Sequence, residues 1–90
     1  MHLTTKGKYA VTALLDLALN ETNDYVAISD LAGRQSIPGP YLEQLFRYLR
    51  KADILISHRG PRGGYKLSRP RNEIKIGQII KAVEDRMDAT

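Results

Sequence analysis

The sequence has no cysteine and only two histidines in 90 residues. Without cysteine, these residues form neither a disulfide nor a thiolate metal site, which fits a reducing compartment. His2 and His58 stand far apart in the sequence and make a poor metal site, so we expect no metal ligands within residues 1–90. No apolar run approaches the roughly 18 residues that a membrane span needs. The first residues also lack the charged-then-apolar order of a secretory signal, so the expected location is cytoplasmic.

The composition that is present is ordinary for one soluble domain. A chain of 90 residues is slightly shorter than the typical domain of about 100–150 and buries only a small core. Hydrophobic residues make up 42% of it and charged residues 27%, which is too apolar a composition for a disordered chain. We therefore expect one globular domain over residues 1–90.

Positive charge is concentrated in the second half of the chain. The net charge is +4, but the stretch from Glu43 to Arg71 alone carries +6 and the rest of the chain carries −2. Charge of this kind suits a polyanion such as DNA, RNA or an acidic membrane surface. On charge alone, a merely solvated basic face is an equal alternative. The basic residues of the stretch are Arg47, Arg50, Lys51, Arg59, Arg62, Lys66, Arg69 and Arg71.

Apolar spacing predicts three helices before residue 52. Polar residues recur every four positions from residue 8 to residue 20, which predicts a mostly buried helix that Thr4 or Thr5 can cap. A short helix follows at 28–35, and Pro38 and Pro40 break the chain after it. Two short helices with a tight turn between them predict a helix-turn-helix over residues 28–51. The second of these helices, at 39–51, has apolar residues at i, i+3, i+4 and i+7, namely Leu42, Leu45, Phe46 and Leu49.

A hairpin and a last helix complete the predicted order of elements. Two β-prone runs, 54–58 and 65–68, flank a loop rich in glycine and proline, which is a hairpin signature. Apolar residues at spacings of three and four then predict a C-terminal helix over 76–87. A helix-turn-helix followed directly by a hairpin is typical of a winged helix-turn-helix domain. The expected fold class is therefore mainly α with a small β-hairpin, the wing, at residues 54–68.

The exposed face of the 39–51 helix offers candidate DNA-reading residues, because this helix enters the major groove in helix-turn-helix proteins. Gln44 can read adenine through its amide, and Glu43 can accept a hydrogen bond from the cytosine amino group. A carboxylate beside phosphates is unfavourable, so Glu43 is expected to reject wrong sequences more than to add affinity. The alternative is a solvated helix face. The predicted contacts here, with one near the N-terminus, are Lys6, Gly39, Pro40, Tyr41, Glu43, Gln44, Arg47 and Arg50.

The loop of the hairpin offers a second set of candidates. Arg59 stands beside glycines that let the backbone bend tightly and approach a partner closely. An arginine at such a tip suits a narrow A·T-rich minor groove, where negative potential is concentrated. Arg62 and Lys66 would then flank it on phosphates, with Gly60 and Pro61 between them. A loop that merely turns the chain explains the glycines but not the clustered arginines.

The sequence does not predict an enzyme. The loop from Gly60 to Gly64 is only loosely similar to a phosphate-cradling loop, since it lacks the Gly-Lys-Ser/Thr ending and joins two strands instead of opening a helix. No nucleophile has a histidine at a suggestive spacing, and the paired acids Glu84 and Asp85 lie on a solvated helix end.

Three motifs in order resemble the iron–sulfur cluster regulator family (IscR-like), and the resemblance covers essentially all 90 residues. The motifs are LTTKGKYA at 3–10, YLEQLF at 41–46 and RGPRGGY at 59–65. The resemblance implies a dimeric bacterial regulator that represses or activates genes for iron–sulfur cluster assembly and binds a palindromic promoter site. It also implies a recognition helix that reads DNA through Glu43 and Gln44, and a wing whose Arg59 enters the minor groove.

The chain departs from this family at two places in the candidate site. Where the family usually has small hydroxyl residues, this chain has Pro38 and Pro40, which removes two hydroxyls and two amide hydrogens from the helix end that should meet a phosphate. Phosphate contact there must rest on Gly39 or Tyr41. Where the wing usually has glycine, this chain has Arg62, which favours nonspecific charge attraction.

The family's cofactor and dimer lie outside residues 1–90. In the family, a segment like 83–90 leads into a loop of three cysteines that hold a [2Fe–2S] cluster, followed by a long dimerisation helix. The resemblance therefore implies a cluster and a homodimer only for a longer chain, the alternative being a short natural relative without a cluster. Residues 1–90 are expected to self-associate weakly or not at all. The alternative function is a winged-helix RNA-binding or protein–protein interaction module without a gene-regulatory role.

Overall fold

The computed structural model describes residues 4–20 and 24–88. Within these ranges it contains four α-helices, a two-stranded antiparallel sheet and one 3-10 turn, which confirms the predicted fold class. No helix in these ranges combines the length and apolar character needed to cross a membrane. The elements are α1 Thr5–Leu19, α2 Ile28–Gln35, α3 Gly39–Lys51, β1 Leu55–His58, β2 Gly64–Leu67, the 3-10 turn Arg71–Glu73 and α4 Ile76–Asp88.

Helix α1 begins at the predicted cap but is less buried than its sequence indicates. The Thr4 hydroxyl accepts a hydrogen bond from the Gly7 amide at 3.2 Å, which satisfies one free donor of the first turn. Leu15 and Leu19, however, are 54% and 73% exposed, whereas Asp16 between them is 6% exposed. The expectation of a mostly buried helix is wrong at this end, because a domain of 90 residues has too little core to surround a helix that is apolar on nearly every side.

The core lies where α1, α3, α4 and the start of β1 meet. The four apolar residues of α3 identified from their spacing are all 0% exposed, and Ile54 and Leu55 at the start of the hairpin are 1% exposed. This burial fixes the rotation of α3 about its own axis, so the opposite face of the helix is turned to solvent. The side chains that fill the core of the described residues include Ala13, Leu14, Leu17, Leu31, Leu42, Leu45, Phe46, Leu49, Ile79 and Val83.

A three-residue turn joins α2 to α3. Ser36 has a φ of 54°, in the left-handed region, and its amide donates to the carbonyl of Ala32, which ends α2. Ile37 is 4% exposed and anchors the turn in the core. Pro38 then precedes α3, and Pro40 occupies its first turn, where a helix does not need an amide hydrogen.

Tyr65 in β2 joins the wing to the rest of the domain. The two strands pair from Leu55 opposite Leu67 to His58 opposite Gly64, and the Ser68 amide donates to the Ile54 carbonyl at 3.0 Å just beyond them. On the other edge of β2, the amide and carbonyl of Tyr65 exchange hydrogen bonds of 2.9 and 2.8 Å with Val26. Val26, in the segment before α2, therefore forms an isolated β-bridge on the second edge of β2.

The close approach of Val26 to β2 depends on Gly64. Its φ is +150°, and a Cβ there would lie 2.2 Å from the Val26 carbonyl oxygen. We expect Gly64→Ala to lower the free energy of unfolding by more than about 1 kcal/mol, because the strand must move or the bridge to Val26 must break. Gly33→Ala is the matched control, since Gly33 is helical with nothing within 4 Å of its added Cβ, and it should raise stability by about 0.5–1 kcal/mol. Urea denaturation measures both, and equal effects would contradict the prediction.

Candidate nucleic-acid interface

The solvent face of α3 is broad, polar and mostly basic. Glu43, Gln44, Arg47 and Arg50 are all exposed, as the sequence predicts for the reading face of this helix. Pro40 is also exposed, and it lies in the first turn of the same face. A surface groove of about 310 Å³ runs along this face and is lined by Pro40, Gln44, Arg47, Tyr48 and Lys51.

Lys51 is a residue of this face that was not among the predicted contacts. It is exposed, and it lies seven residues after Gln44, two helical turns along the same stripe. That spacing in the sequence is enough to predict that Lys51 shares a face of the helix with Gln44. Lys51 extends the basic surface to the C-terminal end of α3.

The N-terminus of α3 presents backbone donors in place of side-chain hydroxyls. Pro38 makes no side-chain cap, and the first bond of the helix runs from the Leu42 amide to the Pro38 carbonyl at 3.0 Å. Because Pro40 has no amide hydrogen, the donors of the first turn ahead of Leu42 are the amides of Gly39 and Tyr41. Two amides at a helix N-terminus are suited to an anion such as a phosphate.

Tyr41 brings the N-terminus of α1 next to that of α3. Its ring meets Tyr9 of α1 edge to face, with centroids 5.6 Å apart. Burial raises the pKa of the Tyr41 hydroxyl above its ordinary value of 10.0, and the nearby positive charge of Lys6 opposes this shift in part. Tyr41 is therefore a neutral hydrogen-bond donor at physiological pH. The contact places Lys6, the one predicted site residue far from the motif in sequence, beside α3.

The wing loop projects its arginines into solvent. Arg59, Pro61 and Arg62 are exposed, and the Gly63 amide donates to the Gly60 carbonyl at 2.9 Å to close the loop. Gly60 has a φ of +118°, a backbone conformation in which a side chain is strained. The backbone of the loop thus forms a closed turn, and the side chains of Arg59 and Arg62 lie outside the core.

An aromatic cluster joins Tyr25, in the segment before α2, to the wing. The rings of Tyr25 and His58 stack with centroids 5.3 Å apart, and the ammonium of Lys66 lies 4.7 Å from the centre of the Tyr25 ring. Lys66, predicted to flank Arg59 on phosphates, is therefore held over Tyr25. Nothing in the sequence indicates that Tyr25 lies at the wing, because it is the pairing of Val26 with β2 that brings it there.

Two of the basic residues counted in the sequence donate hydrogen bonds to backbone carbonyls of the fold. Arg69 donates to the carbonyl of Asp53 at 3.0 Å, and Arg71 donates to the carbonyl of Ala18 at 3.4 Å. Charge counting along the sequence does not separate such residues from those on the reading face.

The residues present do not fit an iron–sulfur cluster. The sequence contains no cysteine, and in the described part of the chain no three His, Asp or Glu side chains gather at a spacing suited to a metal ion. His2 lies outside the described residues.

A helix-turn-helix followed by a wing, with cations on both, defines the class of winged-helix transcription regulators. The chain belongs to the Rrf2 family, described as iron-dependent transcriptional regulators, whose family model matches residues 3–90. This confirms the resemblance found in the sequence, and the family and the relatives are transcriptional regulators, as the sequence predicts, and not enzymes.

Curated relatives and solved structures agree with this family. The chain is 56% identical over its full length to a candidate helix-turn-helix transcriptional regulator of Neisseria meningitidis, and covers 61% of that protein. It is 51% identical to the transcriptional regulator IscR of Photobacterium profundum, of which it covers 52%. IscR of T. potens is 44% identical with a TM-score of 0.84 over 93% of this chain and 61% of its own. CymR, the global cysteine regulator of B. subtilis, is 33% identical, with a TM-score of 0.87 over 93% of this chain and 65% of its own. The chain thus spans about half to three fifths of the curated relatives named here.

The distribution of charge predicts a steep salt dependence of binding to duplex DNA. Each neutralised phosphate contributes about −0.9 to the slope of log affinity against log salt, so three to six contacts from the basic residues of α1, α3 and the wing give roughly −3 to −5. Arg47→Gln should reduce this slope by about 0.9. Lys81→Gln, an exposed change on α4, is the control and should leave it unchanged. Fluorescence anisotropy titrations across salt concentrations measure both, and a flat slope for the parent chain would contradict the prediction.

Proposed function

We propose that this chain is the DNA-reading domain of a sequence-specific transcription regulator. In this proposal α3 enters the major groove, Arg59 on the wing enters the adjacent minor groove, and the N-termini of α1 and α3 hold a phosphate between them. The observation that carries it is the attachment of both reading elements to one residue. The Tyr65 ring packs edge to face on Phe46 of α3 at 5.2 Å, while its backbone belongs to the wing.

The chemistry of α3 supports base reading and not charge attraction alone. Glu43 and Gln44 are the exposed residues that follow the N-terminal turn, and their carboxylate and amide groups match the cytosine amino group and the adenine edge. Basic residues Arg47, Arg50 and Lys51 follow toward the C-terminus of α3, where they suit the phosphate backbone. In this proposal the N-terminal part of α3 discriminates between bases, and its C-terminal part attracts the phosphate backbone.

We further propose that the longer regulator acts as a homodimer on a palindromic site and carries the cluster outside these residues. The relatives are longer than this chain by two fifths to one half of their own length, which leaves room for both. Two linked domains reading half-sites about one helical turn apart would gain about 10²–10⁴ in avidity over one domain. Regulation of iron–sulfur cluster assembly genes, by repression or activation, is the role proposed for it by its likeness to the IscR proteins.

Glu43→Ala tests sequence-specific reading. We expect discrimination to relax at one or two base positions by about 1–3 kcal/mol each, because the carboxylate excludes bases that cannot donate to it. Glu73→Ala, an exposed acid on the 3-10 turn, is the control for removal of one negative charge. Selection from a random-sequence duplex pool followed by affinity measurements on single-base variants gives the result. A uniform change in affinity without a change in preference would contradict the role of Glu43.

Arg59→Ala tests minor-groove reading by the wing. Binding to all duplexes should weaken, and the preference for A·T-rich flanks should fall, because the arginine reads groove width through its negative potential. Arg62→Ala removes the same charge from the same loop and should weaken binding without changing that preference.

Structured RNA serves as the competitor, since its minor groove is wide and shallow. Equal displacement by RNA and by duplex DNA would favour the RNA-binding alternative.

A further inference from the structure

A buried carboxylate connects α1 to the end of α2. The side chain of Asp16 is 3% exposed and accepts hydrogen bonds from three residues. Arg34 donates to it through Nε at 3.1 Å and through Nη2 at 2.5 Å, and Gln35 donates at 2.6 Å. Asn20, one turn along α1, adds a longer bond of 3.3 Å. Nearly all the acceptor capacity of the carboxylate is thereby used.

Arg34 and Gln35 are the last two residues of α2, directly before the turn into α3. Helix α2 has eight residues, of which only Leu31 and Ala32 are buried, so apolar packing alone fixes its orientation weakly. The carboxylate holds the far end of the helix through a two-pronged contact with a planar guanidinium, which restrains direction as well as distance. After Gln35, only Ser36 to Pro38 separate this contact from the first residue of α3.

The charge of Asp16 is retained in the folded protein. The hydrogen bond from Arg34 holds the pKa of Asp16 below its ordinary value of 3.8, the bonds from Gln35 and Asn20 act in the same direction, and burial opposes them. Because the folded pKa lies below the unfolded one, the contribution to stability is complete above the unfolded value and is lost as the pH falls through the folded one. At neutral pH Asp16 is therefore ionised and keeps its hydrogen bonds with Arg34, Gln35 and Asn20.

We propose that Asp16 is a positioning residue for sequence reading: by holding Arg34 and Gln35, it sets where the N-terminal turn of α3 stands relative to α1. The proposal rests on the proposed function and adds a residue that touches no DNA. Both phosphate-binding candidates at this end depend on that placement, because Lys6 lies on α1 and Tyr41 lies on α3. Nonspecific attraction depends on total charge and tolerates a displaced helix, whereas base contacts require their hydrogen-bond geometry.

The test compares two substitutions that change the charge in opposite directions. Asp16→Asn raises the net charge by one and Arg34→Gln lowers it by one, so an effect of charge alone would move nonspecific affinity in opposite directions. A positioning role predicts instead that both variants lose specificity. The affinity for a duplex selected by the parent chain, divided by the affinity for an unrelated duplex of equal length, should fall about tenfold in each, comparable to the loss of one base-pair contact.

Val83→Ala on α4 controls for stability. Val83 is 0% exposed, so its truncation lowers the melting temperature, and it removes none of the hydrogen bonds to Asp16. We expect its specificity ratio to equal that of the parent chain. If Asp16→Asn does not fold, Arg34→Gln carries the same test, because the Arg34 side chain is 45% exposed and its loss removes no core volume.

The outcomes separate this role from the proposed function. Ratios that fall for both Asp16→Asn and Arg34→Gln but not for Val83→Ala support positioning. The role is overturned if the ratio shifts in opposite directions in Asp16→Asn and Arg34→Gln. It is also overturned if the ratio merely follows the melting temperature across these two variants and Val83→Ala. A parent chain without preference between the two duplexes would overturn the proposed function and this role together. A parent chain whose preference Asp16→Asn and Arg34→Gln both keep would overturn the role of Asp16 alone.

Discussion

The geometry of the domain depends on Tyr65, where three parts of the chain meet. Its backbone pairs with β1 on one side and with Val26 on the other, and its ring rests on Phe46 in the core. A two-stranded hairpin alone is marginally stable in water, so the wing needs these attachments to keep a defined direction. The same contacts explain why Gly64 precedes Tyr65, since a side chain at that position would occupy the space of the Val26 carbonyl.

Apolar and polar contacts divide the work of holding the reading elements. Burial of one face of α3 fixes which side chains point outward, but apolar contacts are non-directional and restrain orientation less than hydrogen bonds do. Directional contacts remove that freedom at both ends of the reading surface. Tyr65 does so for the wing, and the hydrogen bonds from Arg34 and Gln35 to Asp16 do so for the turn before α3. Hydrogen bonds to a buried charge are among the stronger ones in proteins, so a few of them suffice.

Local patterns predicted the elements, and contacts between distant parts of the chain decided the rest. The spacing of the α3 leucines and the position of Thr4 gave the helix and the cap, because both depend on residues within one or two turns. The burial of Asp16 was not predicted, since on a polar stripe nothing distinguishes a solvated carboxylate from one that meets Arg34 eighteen residues later. Tyr25 reaches the wing only through strand pairing. The position of Lys51 on the exposed face of α3 could have been predicted, because it follows Gln44 by two helical turns.

The two prolines at the start of α3 limit the groups that the proposed phosphate site can use. They remove side-chain hydroxyls and amide hydrogens from the helix end, yet Pro38 and Pro40 also fix the backbone in the conformation that the turn and first helical residue require. What remains are two amides, the Tyr41 hydroxyl and the nearby charge of Lys6, all carried by helices α1 and α3. The two amides belong to the backbone of a helix and lose little conformational entropy on binding, which would offset the smaller number of donors in the proposed site. The restraint of the turn by Asp16 belongs to the same design, because rigid donors bind well only where they already stand in the right place.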